Sequence, residues 1–296
     1  MSTGASREIL RVLPYKYSSR MMSITITSSI HMQSDRLIIS KLLPIGDVGY
    51  YGVAYNVVSR STMLTGSVSG AAFPSFSALF RSGNINGLMS QYRKFHDLVC
   101  FGIVPLFAVI LFALIPLFSY LLNKDVAYTL LLPSALLSLG TYMNSTLNIP
   151  YIVTLAMGRP DIGARQNIYA LFVVLPVTAI LIYFLGLTGA GLSWVFYHIF
   201  AYSYGVRRTS RECLRVSVWK WYLHILKVLV LTGLTYGIAW LILSLIGSFS
   251  IFSLSIAYVL ATIAFLIVSY FLIGDELRGS VLNIFKALKS RIMEFA

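Results

Sequence analysis

Three ionisable side chains, Asp35, Arg36 and Arg60, lie inside long apolar runs of a 296-residue sequence that is only 11% charged. An ionised group deep in hydrocarbon costs at least ~2.5 to 3.5 kcal/mol on insertion scales, so each is a functional candidate by default. His31 and Asp35 are four residues apart and share one helical face, with Arg36 about 100° around from Asp35. Gln33, Ser28 and Ser29 extend the wet side of that segment, and Asn56 and Arg60 repeat the i, i+4 spacing on the next. Counted from the short turn near Asp47, Asp35 and Arg60 are both roughly 15 Å deep at helical rise, so they can meet. Two chemistries fit. Arg36, Arg60 or both can line a water-filled cavity and attract an anionic substrate such as a diphosphate, for which guanidinium supplies a planar donor fork. Alternatively, an Asp35–Arg60 or Asp35–Arg36 ion pair locks two helices together.

Other polar groups point less sharply. Asn144 and Asn148 precede Pro150 and either bond carbonyls freed by that proline or face a cavity. His198 and His224 are isolated and read as satisfied histidines near an interface. Tyr50, Tyr51, Trp219, Trp221 and Tyr222 fall at expected membrane boundaries, where amphipathic rings anchor helices. Neither a phosphate-cradling G-x-x-x-x-G-K-[ST] loop nor an H-E-x-x-H pair is present, so no catalytic residue, metal site or cofactor is assigned and the chain is not read as an enzyme. Cys100 and Cys213 form no C-x-x-C motif and read as free thiols facing a reducing compartment.

The elements that must position these residues are membrane helices. The sequence is 57% hydrophobic, with a mean hydropathy of +0.80, whereas a soluble domain carries roughly 25% charged residues. Apolar stretches of crossing length predict about eight transmembrane segments, at 21–43, 50–80, 98–122, 127–157, 168–186, 189–206, 222–246 and 251–273. Counts of seven or nine also fit. The second and fourth exceed the bilayer requirement and are expected to tilt, extend beyond lipid or kink near Pro74, Pro133 or Pro150. The net charge of +13 sits between apolar runs, which positive-inside topology explains and nucleic-acid binding does not. Lys and Arg gather in alternate connections: 1–20, 81–97, 158–167, 207–220 and the tail, which carries Arg278, Lys286, Lys289 and Arg291. Both termini are therefore expected in the cytoplasm of a multi-pass protein of the cytoplasmic membrane, with membrane lipids around it. The resulting organisation is a lead-in at 1–20, a six-helix bundle at 21–206, a basic loop at 207–221, two further helices at 222–273 and a tail at 274–296. Glu276 to Phe295 has amphipathic spacing, suited to a membrane interface or to docking on the protein's own loops. The stretch Arg7 to Arg20 offers the same alternatives, with Pro14 interrupting it.

The block SDRLIISKLLPIGDVGYYGVAYNVV at Ser34–Val58, then AAFPSFSAL at Ala71–Leu79, a Ser82-Gly83-Asn84 loop, a basic helix start at Gln91–Asp97 and AMGRPD at Ala156–Asp161 carry a likeness. With them the chain resembles the polysaccharide transporters (O-antigen flippases) of the multidrug/oligosaccharidyl-lipid/polysaccharide, or MOP, exporter superfamily. The resemblance implies an all-α polytopic fold matching the second lobe of such a flippase plus two peripheral helices, with the chain beginning at the family's seventh helix. It also implies translocation of an undecaprenyl-diphosphate-linked oligosaccharide by alternating access, completed by a missing N-terminal lobe or a homodimer partner. Arg36, Arg60 and Asn56 would then bind substrate, and Asp35 with His31 would couple to an ion. A cation-coupled multidrug exporter of the same superfamily is the alternative within transport, and a polymerase or acyltransferase is the alternative among membrane enzymes. Two intramembrane arginines against one aspartate, and the shortness of the outer connections, weigh against them.

Overall fold

The computed structural model describes residues 3–247, 249–283 and 286, with residues 3–14 described by their backbone alone. Among these every regular element is helical: α1 Thr3–Leu42, α2 Ile45–Ser59, α3 Thr62–Arg81, α4 Ile85–Gly102, α5 Val104–Leu121, α6 Lys124–Ala156, α7 Pro160–Ala201, α8 Val218–Thr232, α9 Ile238–Ile246 and α10 Ile251–Leu272. Wider π-type turns follow α7 at Tyr202–Val206 and Thr209–Leu214, and another joins α8 to α9 at Gly233–Gly237. Asn84, Asn123 and Ser250 open α4, α6 and α10 by accepting from the backbone N–H of Gly87, Val126 and Ser253, which satisfies donors that a helix start leaves orphaned.

Five continuous stretches are long and apolar enough to cross a membrane: Ile85–Leu121, Lys124–Ala156, Pro160–Leu214, Val218–Ile246 and Ile251–Leu272. Helices are what lipid demands, because every backbone N–H and C=O is satisfied within the segment. Phe172, Phe252 and Phe271 leave 70–78% of their surface uncovered, in company with many exposed leucines and isoleucines. Water would not tolerate so extended an apolar surface, whereas acyl chains do. The protein is an all-α, polytopic membrane protein. α1 and the α2–α3 pair fall outside the five stretches because they are too polar or too short, and they carry Asp35, Arg36, Asn56 and Arg60.

α6 is the central element, packed against α2, α3, α4, α5 and α7 and burying side chains around its circumference, among them Leu130, Leu137, Thr141, Tyr142, Ile149 and Val153. α7 is a helical hairpin. Gly186 takes φ 58°, ψ −135°, a conformation that strains any residue with a Cβ. The reversal brings Gly189 against the backbone of Leu181 so closely that a side chain there would collide with it. The second arm, residues 187–201, runs back beside α1, and α10 packs on α5 and α8 at the periphery.

Several expectations change. The stretch expected as one segment at 50–80 is broken at Arg60–Ser61, and no proline causes the break; α3 continues through Pro74 and α6 through Pro133 and Pro150. The Ser61 hydroxyl donates to the Val58 carbonyl at 2.6 Å, a local bond that competes with the helical ladder. α1 runs without interruption through position 14. Of the tail, residues 275–283 are helical, and Leu277 and Val281 pack into the core, so this part docks on the protein. The rest of the expected amphipathic tail, apart from position 286, lies outside the described residues.

Candidate functional site

Asp35 is the organising residue of the site. It is 3% exposed, and its Oδ2 accepts from the Tyr51 hydroxyl of α2 at 2.6 Å and from the Trp194 indole N–H of the second α7 arm at 2.9 Å. Its Oδ1 accepts from the Arg36 backbone N–H at 2.8 Å. Trp194 reaches this position because α6 presents Gly140 beneath it; a Cβ at 140 would lie 2.8 Å from the Trp194 Cβ. Tyr55, one turn on from Tyr51, packs against Trp194 with ring centroids 5.6 Å apart and the planes tilted by 54°. Three neutral donors, from α1, α2 and the second arm of α7, therefore satisfy the carboxylate.

This geometry removes the expected ion pair. Among the described residues no salt bridge joins Asp35 to Arg36 or Arg60. Arg36 turns its guanidinium over the Tyr55 ring, 4.6 Å from the centroid, a cation–π contact, and its Nε is buried with no hydrogen-bond partner. Arg60 and Asn56 are both exposed, with Arg60 at the joint between α2 and α3. His31 is not bonded to Asp35. Its ring stacks on Tyr197 at 3.9 Å, and its Nδ1 lacks a partner. Among the described residues neither guanidinium has an acidic partner. Arg36 is next to the satisfied carboxylate, whereas Arg60 is nine residues beyond Tyr51, about 13 Å farther along α2 at helical rise, so the expected meeting of Asp35 and Arg60 does not occur.

Tyr51, Tyr55 and Trp194 were not legible as site residues. Tyr51 was expected to anchor at a membrane boundary, yet it is buried and bonded to Asp35. Asn148 does not bond the carbonyls freed by Pro150; its Oδ1 accepts from Ser69 at 2.9 Å. Both asparagines line a cleft of about 290 Å³ between α1, α6 and α7, together with Ser28, Gln166, Asn167 and Tyr197. His198 Nδ1 sits 2.6 Å from the Trp194 carbonyl.

A second polar cluster forms where α4, α8 and the end of α10 meet. Asp97 Oδ1 lies 3.1 Å from His224 Nε2, and its Oδ2 accepts from the Gly274 N–H at 2.7 Å. His224 is therefore not isolated. His96 stacks on Tyr92 at 5.6 Å, and ligand-type atoms of His96, Cys100 and His224 lie within 4.8 Å of one another. By residue type these three suit a soft cation such as zinc. Cys100 and Cys213 are free but buried, so neither faces a compartment. A third network lies at the basic end, where the two ends of the Pro160–Leu214 stretch meet. There Arg159 bonds Asp161 through two nitrogens, at 3.0 and 3.1 Å, and reaches Glu212 at 2.5 Å, while Arg20 approaches Asp161 at 3.6 Å. The hydrogen bonds from Arg159 hold the Asp161 carboxyl below its ordinary value.

Fold and site together define a multi-pass membrane protein with a buried carboxylate knot next to a guanidinium, that of Arg36, that has no acidic partner among the described residues. The sequence profile of a family described as polysaccharide biosynthesis protein matches residues 3–150, the part that contains Asp35, Arg36, Tyr51, Asn56 and Arg60. The chain belongs to that family, and its role lies in polysaccharide biosynthesis or export. No curated protein and no solved structure matches the chain.

Proposed function

We propose that this chain translocates a lipid-diphosphate-linked oligosaccharide across the cytoplasmic membrane, by alternating access and together with a second lobe supplied by further polypeptide or by another copy. In this proposal the eight helical stretches that end at the turns near 43, 83, 122, 158, 186, 216, 247 and 273 cross the bilayer, with both termini in the cytoplasm. The observation that carries the proposal is the unpaired state of Arg36 and Arg60. The hydrogen bonds that Asp35 accepts come from Tyr51, Trp194 and its own neighbouring backbone rather than from either guanidinium, so both guanidiniums remain available to an anion. A diphosphate offers several acceptor oxygens for which arginine forks are suited, and the exposed Asn56 amide adds donors beside Arg60. Asp35 is the group placed to take up a coupling proton, since protonating it would weaken its bonds to α2 and α7 and loosen the junction of three helices; His31 would act from the same face of α1.

The test replaces Arg60, and separately Arg36, with Ala in cells that depend on this protein for surface polysaccharide. Each variant should reach the membrane at normal levels and lose at least tenfold in glycan export. Normal export by the Arg60→Ala variant would remove the proposal. Efflux of cationic drugs that survives both substitutions would instead support a multidrug exporter.

A further inference from the structure

A cleft near the Asp35 knot has a mixed lining, in which Ile24, Leu147, Pro150, Ile162 and Val206 stand among carboxamides and hydroxyls. Its lining includes Ser28 of α1, Asn144 and Asn148 of α6, Gln166 and Asn167 of the first α7 arm and Tyr197 of the second. No Asp, Glu, Lys, Arg or His contributes to it. Carboxamides and hydroxyls each combine donor and acceptor capacity, and such a lining in a largely apolar bundle needs occupants of matching kind. Part of the capacity is used internally: Asn148 Oδ1 accepts from Ser69, and Asn167 Oδ1 accepts from Tyr197 at 3.3 Å. In both cases the amide –NH₂ is left over. Asn144 makes no hydrogen bond to protein among the described residues and is exposed.

We infer that this cleft binds an uncharged sugar ring, the part of the substrate adjoining its diphosphate. The inference rests on the flippase reading and adds a separate subsite to it. Three features support it. Its described lining residues are neutral, so it offers no counter-charge to a second phosphate or to an acidic or basic drug. At about 290 Å³ the cleft is at the small end of ligand pockets, sized for a compact headgroup rather than a polyprenyl chain. It also stands in the right order along α1: Ser28 is eight residues from Arg36, about 12 Å at helical rise, and Tyr197, whose hydroxyl faces Asn167, stacks on the intervening His31. A diphosphate held at Arg36 would have its first sugars within reach of the cleft.

The experiment measures binding of two probes to the full chain in lipid nanodiscs, a polyprenyl diphosphate without sugar and the same lipid carrying N-acetylglucosamine. The wild type should bind the sugar-bearing lipid about tenfold more tightly, and the Asn144→Leu/Asn167→Leu variant should lose that preference while binding the sugar-free lipid within about twofold of wild type. The single Asn144→Ala variant changes an exposed side chain and should lose part of the preference, which guards against misfolding of the double variant. Equal binding of both lipids by the wild type would overturn the sugar subsite and leave the flippase reading standing. Failure of the wild type to bind either lipid would overturn both. A preference that survives in both variants would place the sugar elsewhere and overturn the inference.

Discussion

Asp35 and Asp97 are both buried carboxylates, 3% and 6% exposed, and both tie distant parts of the chain together. Their surroundings differ in what is left over. At Asp97 the partners are His224 and the Gly274 backbone, and the nearby Arg93 pairs with Glu276 at 2.6 Å, so charge and hydrogen bonds close on themselves. At Asp35 the partners are neutral donors, and the adjacent Arg36 and the exposed Arg60 have no acid. Both sites hold helices together. Lys94 and Lys227, one turn from Asp97 and His224, also have no acidic partner among the described residues, so what sets the Asp35 site apart is a carboxylate held by neutral donors next to a guanidinium that lies over an aromatic ring.

The largest effect is expected at the open site. Substituting Arg36 and Arg60 together by Ala should reduce glycan export at least a hundredfold with little change in thermal unfolding in detergent, since neither side chain holds an ion pair. A large drop in stability would mean these arginines are structural and would erase the contrast. Asp35→Ala comes next, because it strands the Tyr51 hydroxyl and the Trp194 N–H in a dry junction; unfolding should be easier by about 2 to 3 kcal/mol. Asp35→Asn, which keeps shape and partial bonding, should fold better than the Ala variant and still lose ion-driven export, as measured by transport against an imposed pH gradient.

At the closed site, Asp97→Ala should cost about 1 to 3 kcal/mol and increase hydrogen exchange around residues 273–277, while a measurable share of export survives. Equal loss of export from the Asp97 and Asp35 variants would break the distinction between the two regions. The smallest effect is expected at the basic end. Because Arg159 holds the Asp161 carboxyl below its ordinary value, its contribution is present near neutral pH and is lost as the pH falls through the folded-state value. Its partners are partly solvated, so Asp161→Asn should remove no more than about 1 kcal/mol at neutral pH and flatten the acid side of the stability profile.

Much of the fold was legible because hydrocarbon imposes one rule: long apolar runs become helices. The hairpin reversal at Gly186 falls between the expected fifth and sixth segments because a glycine is needed there. The break at Arg60–Ser61 was not legible, since no proline or glycine stands there and the back-bond of Ser61 is one that Ser34 and Thr146 also make inside unbroken helices. The prolines drew attention instead, yet α3 and α6 continue through Pro74, Pro133 and Pro150. Asp35, Arg36, Arg60 and Asn56 stood out because charge and amide are costly in lipid. Their partners did not stand out, because helical spacing gives a residue's face but not which helix covers it. Tyr51 and Trp194 lie 16 and 159 positions from Asp35, and an aromatic near a membrane boundary has a simpler explanation until the packing is seen.

The most direct test of the unpaired-cation account compares the affinity of the full chain in nanodiscs for a polyprenyl diphosphate and for the corresponding polyprenyl alcohol. The account predicts that the wild type prefers the diphosphate by at least about tenfold, or 1.4 kcal/mol, and that the Arg36→Ala/Arg60→Ala variant binds the two alike. A variant that keeps the wild-type preference, or a wild type that has none, would contradict it.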